Sequence, residues 1–542
     1  MKSAELTGSH TPASRFRERE TPEFSDATKS GRLESWLARN SGWLAIGMIT
    51  AALALRLFLA ASCYLNPDEA LHFNSARPST WFEAYKASRV LTHPPLFIMV
   101  LHWILPLGRS ELILRLPSIL GGVAALWLTF AWIRRILGEI PALVGLLFMA
   151  VSPASLSAST EVRQYGLLLF FLSGALYATE RALSEHSARW ALIQGLFLLC
   201  ALLTHYIALV VIAALDIYVL LRSLLDRTPR RILFTLAVGQ LSLAVVLGLL
   251  YVRNIRHSPA FSREGLAYLA PYYYVKAKDT LLGFSWNSFR RTFSYMIGTV
   301  NHELTYVAIF VFLAGLAALL TSRTRARRHV AILILLPFAV GFVTALCRVF
   351  PFAGTRHQAY LLPFLAADLA AAFTWIPSGL TAPSLLIGTM LAPLWVASTT
   401  PDNSPWVRPI SDAKAMVDYI QGVVPLDAPL FVDEETRLVL CYYLGRNDPN
   451  LDTWNRDMGN DQRLEGHRII SPNGYVWSFN PNEAITQVND SAKALGVSAG
   501  NSLWIVSVRW PKTEPLASGL PAGSGLKGKE FGTISVIQLG PQ

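Results

Sequence analysis

Residues 43–62 read WLAIGMITAALALRLFLAAS, an apolar run of the roughly 20 residues that an α-helix needs to cross the hydrocarbon of a bilayer. Similar runs recur as far as about Ala397. Spans are predicted near residues 43–62, 113–133, 140–157, 165–183, 190–204, 206–222, 231–251, 303–322, 329–347, 358–376 and 381–398, eleven in all. The apolar stretch Pro95 to Leu107 has only 13 residues and follows the turn signal His93-Pro94-Pro95, so it is expected to be an interfacial or re-entrant helix instead of a span.

Composition agrees with a lipid environment. Of 542 residues, 52% are hydrophobic and 15% charged, more apolar sequence than one water-soluble core would use. The formal charge of +11 does not indicate nucleic acid, because the arginines lie between apolar segments and not on one soluble face. They report topology. With eleven spans, Arg134-Arg135, Arg181 to Arg189, Arg222 to Arg231 and Arg323 to Arg328 all fall on the side of the N-terminal tail, as the positive-inside rule requires of the cytoplasmic face. The opposite face then carries residues 63–111, 155–164, 253–302 and 348–358 and everything after about Ser398. In the long loop, Tyr272-Tyr273-Tyr274 and Trp286 read as an interfacial aromatic belt or as acceptor-binding residues.

Residues 1–41 lack apolar periodicity and are expected to be a disordered cytoplasmic tail, with no cleaved signal peptide. Residues 42–398 form the membrane domain. Residues 399–542 turn to mixed polar sequence with strand-like runs at Pro429 to Val432, Leu503 to Val508 and Ile534 to Leu539 and a helix-like run at Thr436 to Leu444, which fits a small extracytoplasmic α/β domain. Gly523, Gly525 and Gly528 match GxGxxG, but no strand precedes them and their flanks are rich in Pro and Ser, so a dinucleotide site is rejected. Cys63, Cys200, Cys347 and Cys441 show no CxxC or CxxH spacing; neither a zinc site nor a disulfide framework is indicated, and a Cys63–Cys347 bridge is one pairing left open.

Chemistry is expected on the outer face. The first external loop opens with Asp68-Glu69, and Glu161-Val162-Arg163-Gln164-Tyr165 puts a second acid and a base at a helix mouth. With His93, Arg348 and Arg356 on the same side, these residues supply what sugar transfer needs: a carboxylate to take the proton of an attacking hydroxyl, and cations to stabilise a departing phosphate. His205, at another span mouth, serves equally well as a cap or a substrate contact. Asp216, inside the sixth span, calls for a protein interior or a partner, and His102 reads as a polar-face residue.

The motifs occur in a telling order. Asp68-Glu69, His93-Pro94-Pro95-Leu96-Phe97, Ser110-Glu111 with Leu114-Arg115-Leu116-Pro117-Ser118, Ser152-Pro153, Glu161-Val162-Arg163-Gln164-Tyr165 and Thr204-His205-Tyr206 together resemble the bacterial protein mannosyltransferase and lipid A aminoarabinose transferase-like glycosyltransferases, which have the GT-C fold. The resemblance is strong over residues 43 to about 210, weaker through Tyr360-Leu361-Leu362-Pro363 and faint beyond. It implies a polyprenyl-phosphate-linked sugar donor, a lipid, glycan or protein acceptor, no nucleotide cofactor, inversion at the anomeric carbon, and a bacterial cytoplasmic membrane with the chemistry outside. It further implies Asp68 as base, Glu69 as a group that assists or orients it, and Glu161 as a holder of the acceptor or, with Asp68, of a divalent metal (Mg or Mn). His93, Arg163, Tyr165, His205 and Arg356 are the implied substrate contacts, Arg163 foremost for the phosphate because a neutral histidine is a weak phosphate partner. A polytopic transporter or lipid-linked sugar flippase is the alternative; carriers tend to show repeated halves and helices broken at the midplane.

Overall fold

The computed structural model describes residues 31–89, 91, 93–257, 267–299, 301–377, 379–397, 408–447, 462–471, 481–496, 502–509 and 527–539. All eleven predicted segments are helical. Among the described residues, seven helices are long and apolar enough to cross a membrane: α1 (Arg32–Ser62), α5 (Glu111–Leu137), α8 (Tyr165–Ser184), α10 (Ala208–Asp226), α11 (Arg230–Arg253), α13 (His302–Leu320) and α14 (Arg325–Leu346). An eighth crossing is a broken one, α6 (Glu139–Val151) and α7 (Pro153–Thr160), bent by 58°. The remaining three segments are shorter helices, α9 (Ala188–Thr204), α15 (Leu362–Phe373) and α16 (Thr381–Ala397), so among the described residues length and composition by themselves identify seven or eight of the eleven expected crossings.

Two further boundaries depart from expectation and one agrees with it. The helix that contains residues 43–62 begins at Arg32, inside the segment expected to be a disordered tail; residues 1–30 lie outside the described residues. The stretch after His93 is, as expected, a short helix, α4 (Leu96–Ile104), followed by one tight turn to Leu107 and packed with α2 (Pro67–Ala76) and α3 (Trp81–Ser88) over one end of the bundle. The long loop after Arg253 contains α12 (Leu281–Ile297), which buries Phe284, Phe293 and Met296 in the bundle. There Trp286 stacks on Tyr306 at 6.2 Å, and Arg291 lies over the Tyr272 ring.

Charges separate to the two ends of the bundle. At one end Arg135 pairs with Glu185 at 2.9 Å and Arg222 with Glu180 at 2.6 Å, next to the arginine-rich turns. At the other end, two features aim the short connections inward. Arg56, buried within α1, donates to the Ser155 and Ser159 hydroxyls and to the carbonyls of Met149 and Ala150. Those carbonyls end α6 and have no helical partner beyond the break, so Arg56 holds the bend. The second feature is the crossing of α5 and α8. A Cβ on Gly166 would sit 2.2 Å from the Ser118 carbonyl oxygen, so only glycine lets the two backbones approach this closely.

Beyond α17 (Ile410–Val423) the C-terminal domain is a six-stranded sheet in the order β2-β3-β1-β4-β6-β5, comprising β1 (Pro429–Val432), β2 (Gln462–Leu464), β3 (His467–Ile470), β4 (Leu503–Val508), β5 (Lys527–Phe531) and β6 (Ile534–Leu539), with α18 (Glu434–Tyr443) and α19 (Pro481–Ala494). Strands β3, β1 and β4 are parallel and the rest antiparallel. Gly528 lies in β5, which pairs antiparallel with β6; Gly523 and Gly525 lie outside the described residues. No disulfide joins the four cysteines, and Cys63 is buried while Cys347 is exposed.

Candidate active site

The C-terminal domain docks directly on the segment that follows α1. Tyr64 and Ala70 are part of the domain's own apolar core, the Leu65 amide donates to the Tyr443 hydroxyl at 3.0 Å, and Asn74 donates to the Leu438 carbonyl. This contact fixes the start of α2. Asn66 caps that helix through a reciprocal pair: its side chain accepts from the Glu69 amide, and the Glu69 carboxylate accepts from the Asn66 amide, with Pro67 at the first helical position.

Glu69 is consequently not a free acid. Fully buried, it takes two hydrogen bonds from Arg115, at 2.8 and 2.9 Å, one from Arg408 at 3.0 Å and one from the Val162 amide at 2.8 Å. Burial would raise its carboxyl, and the Arg115 and Arg408 guanidinium groups outweigh that and hold it below the ordinary carboxylate range. Its carboxylate is an anchor that ties α2, α5, the Glu161–Gln164 turn and the C-terminal domain together, which suits it to orienting the segment that carries Asp68 and not to taking up a proton.

Asp68 faces the other way. Its Oδ2 accepts from Arg356 at 2.7 Å and lies 2.6 Å from Arg163 Nη2, and its side chain stays one-quarter exposed. Burial would raise this carboxyl too, yet Arg163 and Arg356 hold it well below the usual range, ionised at neutral pH. Arg163 is placed by the turn between α7 and α8, where the Ser118 hydroxyl donates to the Arg163 carbonyl at 2.6 Å. Arg356 is placed by a turn in which Thr355 and Gln358 cap one another; the preceding Gly354 has φ +72°, and a Cβ there would meet the Arg291 carbonyl at 2.1 Å.

The remaining expected residues fall in three groups. Glu161 is 3.6 Å from Arg408, at the same cluster as Glu69. His93, His205 and Tyr165 form an aromatic wall, with ring centres 4.8 Å apart for His93–His205 and 5.4 Å for Tyr165–His205; His205 Nδ1 also accepts from the Ile207 amide, so the cap and the site coincide. Arg348 is elsewhere, exposed and donating to the Tyr274 carbonyl, and His102 Nδ1 donates to the Ala76 carbonyl at 2.8 Å. Two histidines missed in the sequence complete the wall: His72, stacked on His93 at 5.9 Å, and His357, 6.1 Å from His205. Burial lowers all four; His72 falls to about 4 and His205 to about 3, with Arg163 also disfavouring their charged forms. His93 is therefore a neutral ring at neutral pH.

Arg115 and Arg408 were missed as well. Arg115 lies inside a predicted span, and an ionisable group there demands a partner, a signal that was available. Arg408 lies 339 residues beyond Glu69 in the chain, and no local pattern marks it. As arranged, Asp68 and Glu161 do not make a divalent-cation site: each is already paired with guanidinium groups, and among the described residues no three His, Cys, Asp or Glu side chains converge as ligands.

Residues 92–251 match the family model of dolichyl-phosphate-mannose-protein mannosyltransferases, the part of the chain that holds His93, Glu161, Arg163, Tyr165 and His205. No curated protein sequence matches the chain. Two crystal structures of ArnT from Cupriavidus metallidurans are similar over 93% of this chain and 100% of theirs: the apo form, at 15% identity and a TM-score of 0.54, and the form bound to undecaprenyl phosphate, at 17% identity and a TM-score of 0.51. By its architecture this chain is a membrane protein of the GT-C fold, as its ordered motifs resemble.

Proposed function

We propose that the chain is a glycosyltransferase that moves a sugar from a polyprenyl-phosphate donor to a hydroxyl of a lipid, glycan or protein acceptor at the outer face of a bacterial cytoplasmic membrane, with the N-terminus cytoplasmic and the C-terminal domain outside. The observation that carries the reading is the Asp68 carboxylate held between Arg163 and Arg356. Two guanidinium groups with forked donors suit a phosphate better than a carboxylate with one shared oxygen. The donor phosphate then takes over Arg163 and Arg356, which releases Asp68.

The freed carboxylate accepts the acceptor's hydroxyl proton as the acceptor oxygen bonds to the anomeric carbon and the bond from that carbon to the phosphate oxygen breaks. Polyprenyl phosphate leaves with the bonding electrons, its charge met by the two arginines, and the configuration inverts. Positive charge on the sugar ring in this transition state is offset by Asp68. An apolar cavity of about 400 Å³, lined by Phe148, Phe293, Phe312 and Trp395 among others, gives an isoprenoid chain an apolar wall; Met296 of α12 borders it, and the adjacent Tyr295 lies within electrostatic reach of Arg163 and Arg356.

The test is release or transfer of radiolabelled sugar from polyprenyl-phosphate donors by purified full-length protein in lipid. Asp68→Asn is expected to lower turnover by about 10²–10⁴-fold, the usual contribution of a general base, with donor binding retained. Full turnover by folded Asp68→Asn protein would remove Asp68 from the mechanism.

A further inference from the structure

The rings beside the site run in an order that spans it from end to end. His72 stands one helical turn after Asp68 in α2, and its Nδ1 donates to the Asp68 carbonyl at 2.6 Å. From there the ring centres continue through His93 at 5.9 Å and His205 at a further 4.8 Å to His357 at 6.1 Å. His357 adjoins Arg356 in the chain, and Tyr165, two residues after Arg163, stands 5.4 Å from His205. The wall thus starts at the proposed base and ends at the proposed phosphate partners. A group bonded to a phosphate between Arg163 and Arg356, with its reacting carbon turned to Asp68, has this wall beside it.

The hydrogen-bonding polarity of the wall is fixed at His205. Its Nδ1 accepts from the Ile207 amide at 3.0 Å, and burial keeps the ring neutral, so the single ring proton sits on Nε2. That N–H has no acceptor among the described residues, although His205 is only 4% exposed. His72 is already satisfied, by the Asp68 carbonyl and by the Gln164 side chain. An unmet buried donor is costly. An uncharged N–H suits an uncharged oxygen, whereas the phosphate has the two guanidinium groups.

We propose that the histidine wall is the subsite of the donor sugar, and that His205 Nε2 donates to a hydroxyl oxygen of that sugar. The inference rests on the glycosyltransferase reading and deepens it: the site selects a sugar that carries a hydroxyl at this position over its deoxy counterpart.

Binding of undecaprenyl phosphate and of its gluco-, manno- and galactohexosyl esters to the full-length protein in nanodiscs tests it. Two variants separate the contact from the cap. His205→Asn keeps a side-chain acceptor for the amide two residues on but is too short to reach the sugar; His205→Phe keeps a ring and loses both. Each is expected to weaken the tightest hexosyl ester about tenfold, the effect of roughly one hydrogen bond, and to leave bare undecaprenyl phosphate within about twofold. Among monodeoxy versions of that ester, one is expected to bind wild type about tenfold more weakly and to lose nothing further in His205→Asn, as a direct contact requires. Wild-type affinity of His205→Asn for the hexosyl ester would reduce His205 to a cap, and equal weakening of bare undecaprenyl phosphate would make it a phosphate contact. Either result would overturn the inference and leave the glycosyltransferase reading intact, whereas failure of undecaprenyl phosphate to bind wild type would remove that reading and this inference with it.

Discussion

Replacing Glu69 by Gln isolates the charge at the anchor. Glutamine can keep the reciprocal cap with Asn66 and nearly the same volume, so the perturbation is the loss of one negative charge between Arg115 and Arg408, whose side chains are 1% and 8% exposed. Removing one partner of a buried ion pair costs about 3–5 kcal/mol, because the remaining charge stays buried without compensation. Here two guanidinium groups are stranded, and the upper part of that range is expected from the midpoint of denaturant-induced unfolding in mixed micelles. The pH dependence adds a second check. The folded-state pKa of Glu69 lies below its ordinary value, so its stabilisation is fully present above about pH 4.3 and is lost as pH falls from there through the depressed value. The gap between wild type and Glu69→Gln is therefore constant from pH 8 to 5 and shrinks in acid. A Glu69→Gln protein within about 1 kcal/mol of wild type at pH 7, well under the range expected for a buried pair, would refute the view of Glu69 as an anchor.

Other changes probe the elements around it. Arg408→Lys keeps the charge but cannot bridge Glu69 and Glu161 with two nitrogens, and it is expected to cut transfer by about tenfold, on the order of 1.4 kcal/mol of barrier, while limited proteolysis shows the C-terminal domain still docked. Gly166→Ala forces a Cβ against the Ser118 carbonyl and is expected to cost about 1–3 kcal/mol in the same unfolding assay, whereas Gly42→Ala, with nothing within 4 Å, leaves the midpoint unchanged. Because donor phosphate relieves Asp68 of its arginines, the acid limb of kcat is expected at higher pH than the acid limb of kcat/KM, which reports the free enzyme; coincident limbs would argue against the exchange.

The membrane architecture was legible because apolar length is a local property. Each of the eleven segments is helical, yet α9, α15 and α16 are too short by the measure that identifies the other crossings, and hydropathy alone does not register helix ends. The helix α12 was hidden for a related reason: its Ser, Asn and Arg residues lower its hydropathy, and its apolar face is a narrow stripe through Phe284, Phe293 and Met296. At the site, the residues on short motifs, Asp68, Glu161, Arg163 and His93, were found and do come together with Arg356. What escaped was set by tertiary contact. Arg408 reaches Glu69 only because the C-terminal domain docks on Tyr64 and Ala70, and His357 joins the histidine wall only through the turn after Gly354.

The different fates of Asp68 and Glu69 follow from helix geometry. Neighbouring residues in an α-helix point about 100° apart, so two adjacent carboxylates at the start of α2 cannot serve one centre. The cap decides between them: Glu69 stands three residues after Asn66, the one position from which a side chain folds back to the capping amide, and that return path leads into the protein toward Arg115. Asp68 is then turned to the cleft. One acid buries its charge to fix the loop, and the other stays one-quarter exposed, as the proposed exchange of its arginines for a phosphate requires. Under that proposal the acidic pair in the sequence is one anchor and one reactive group, and the order of the two residues, not merely their presence, determines which is which.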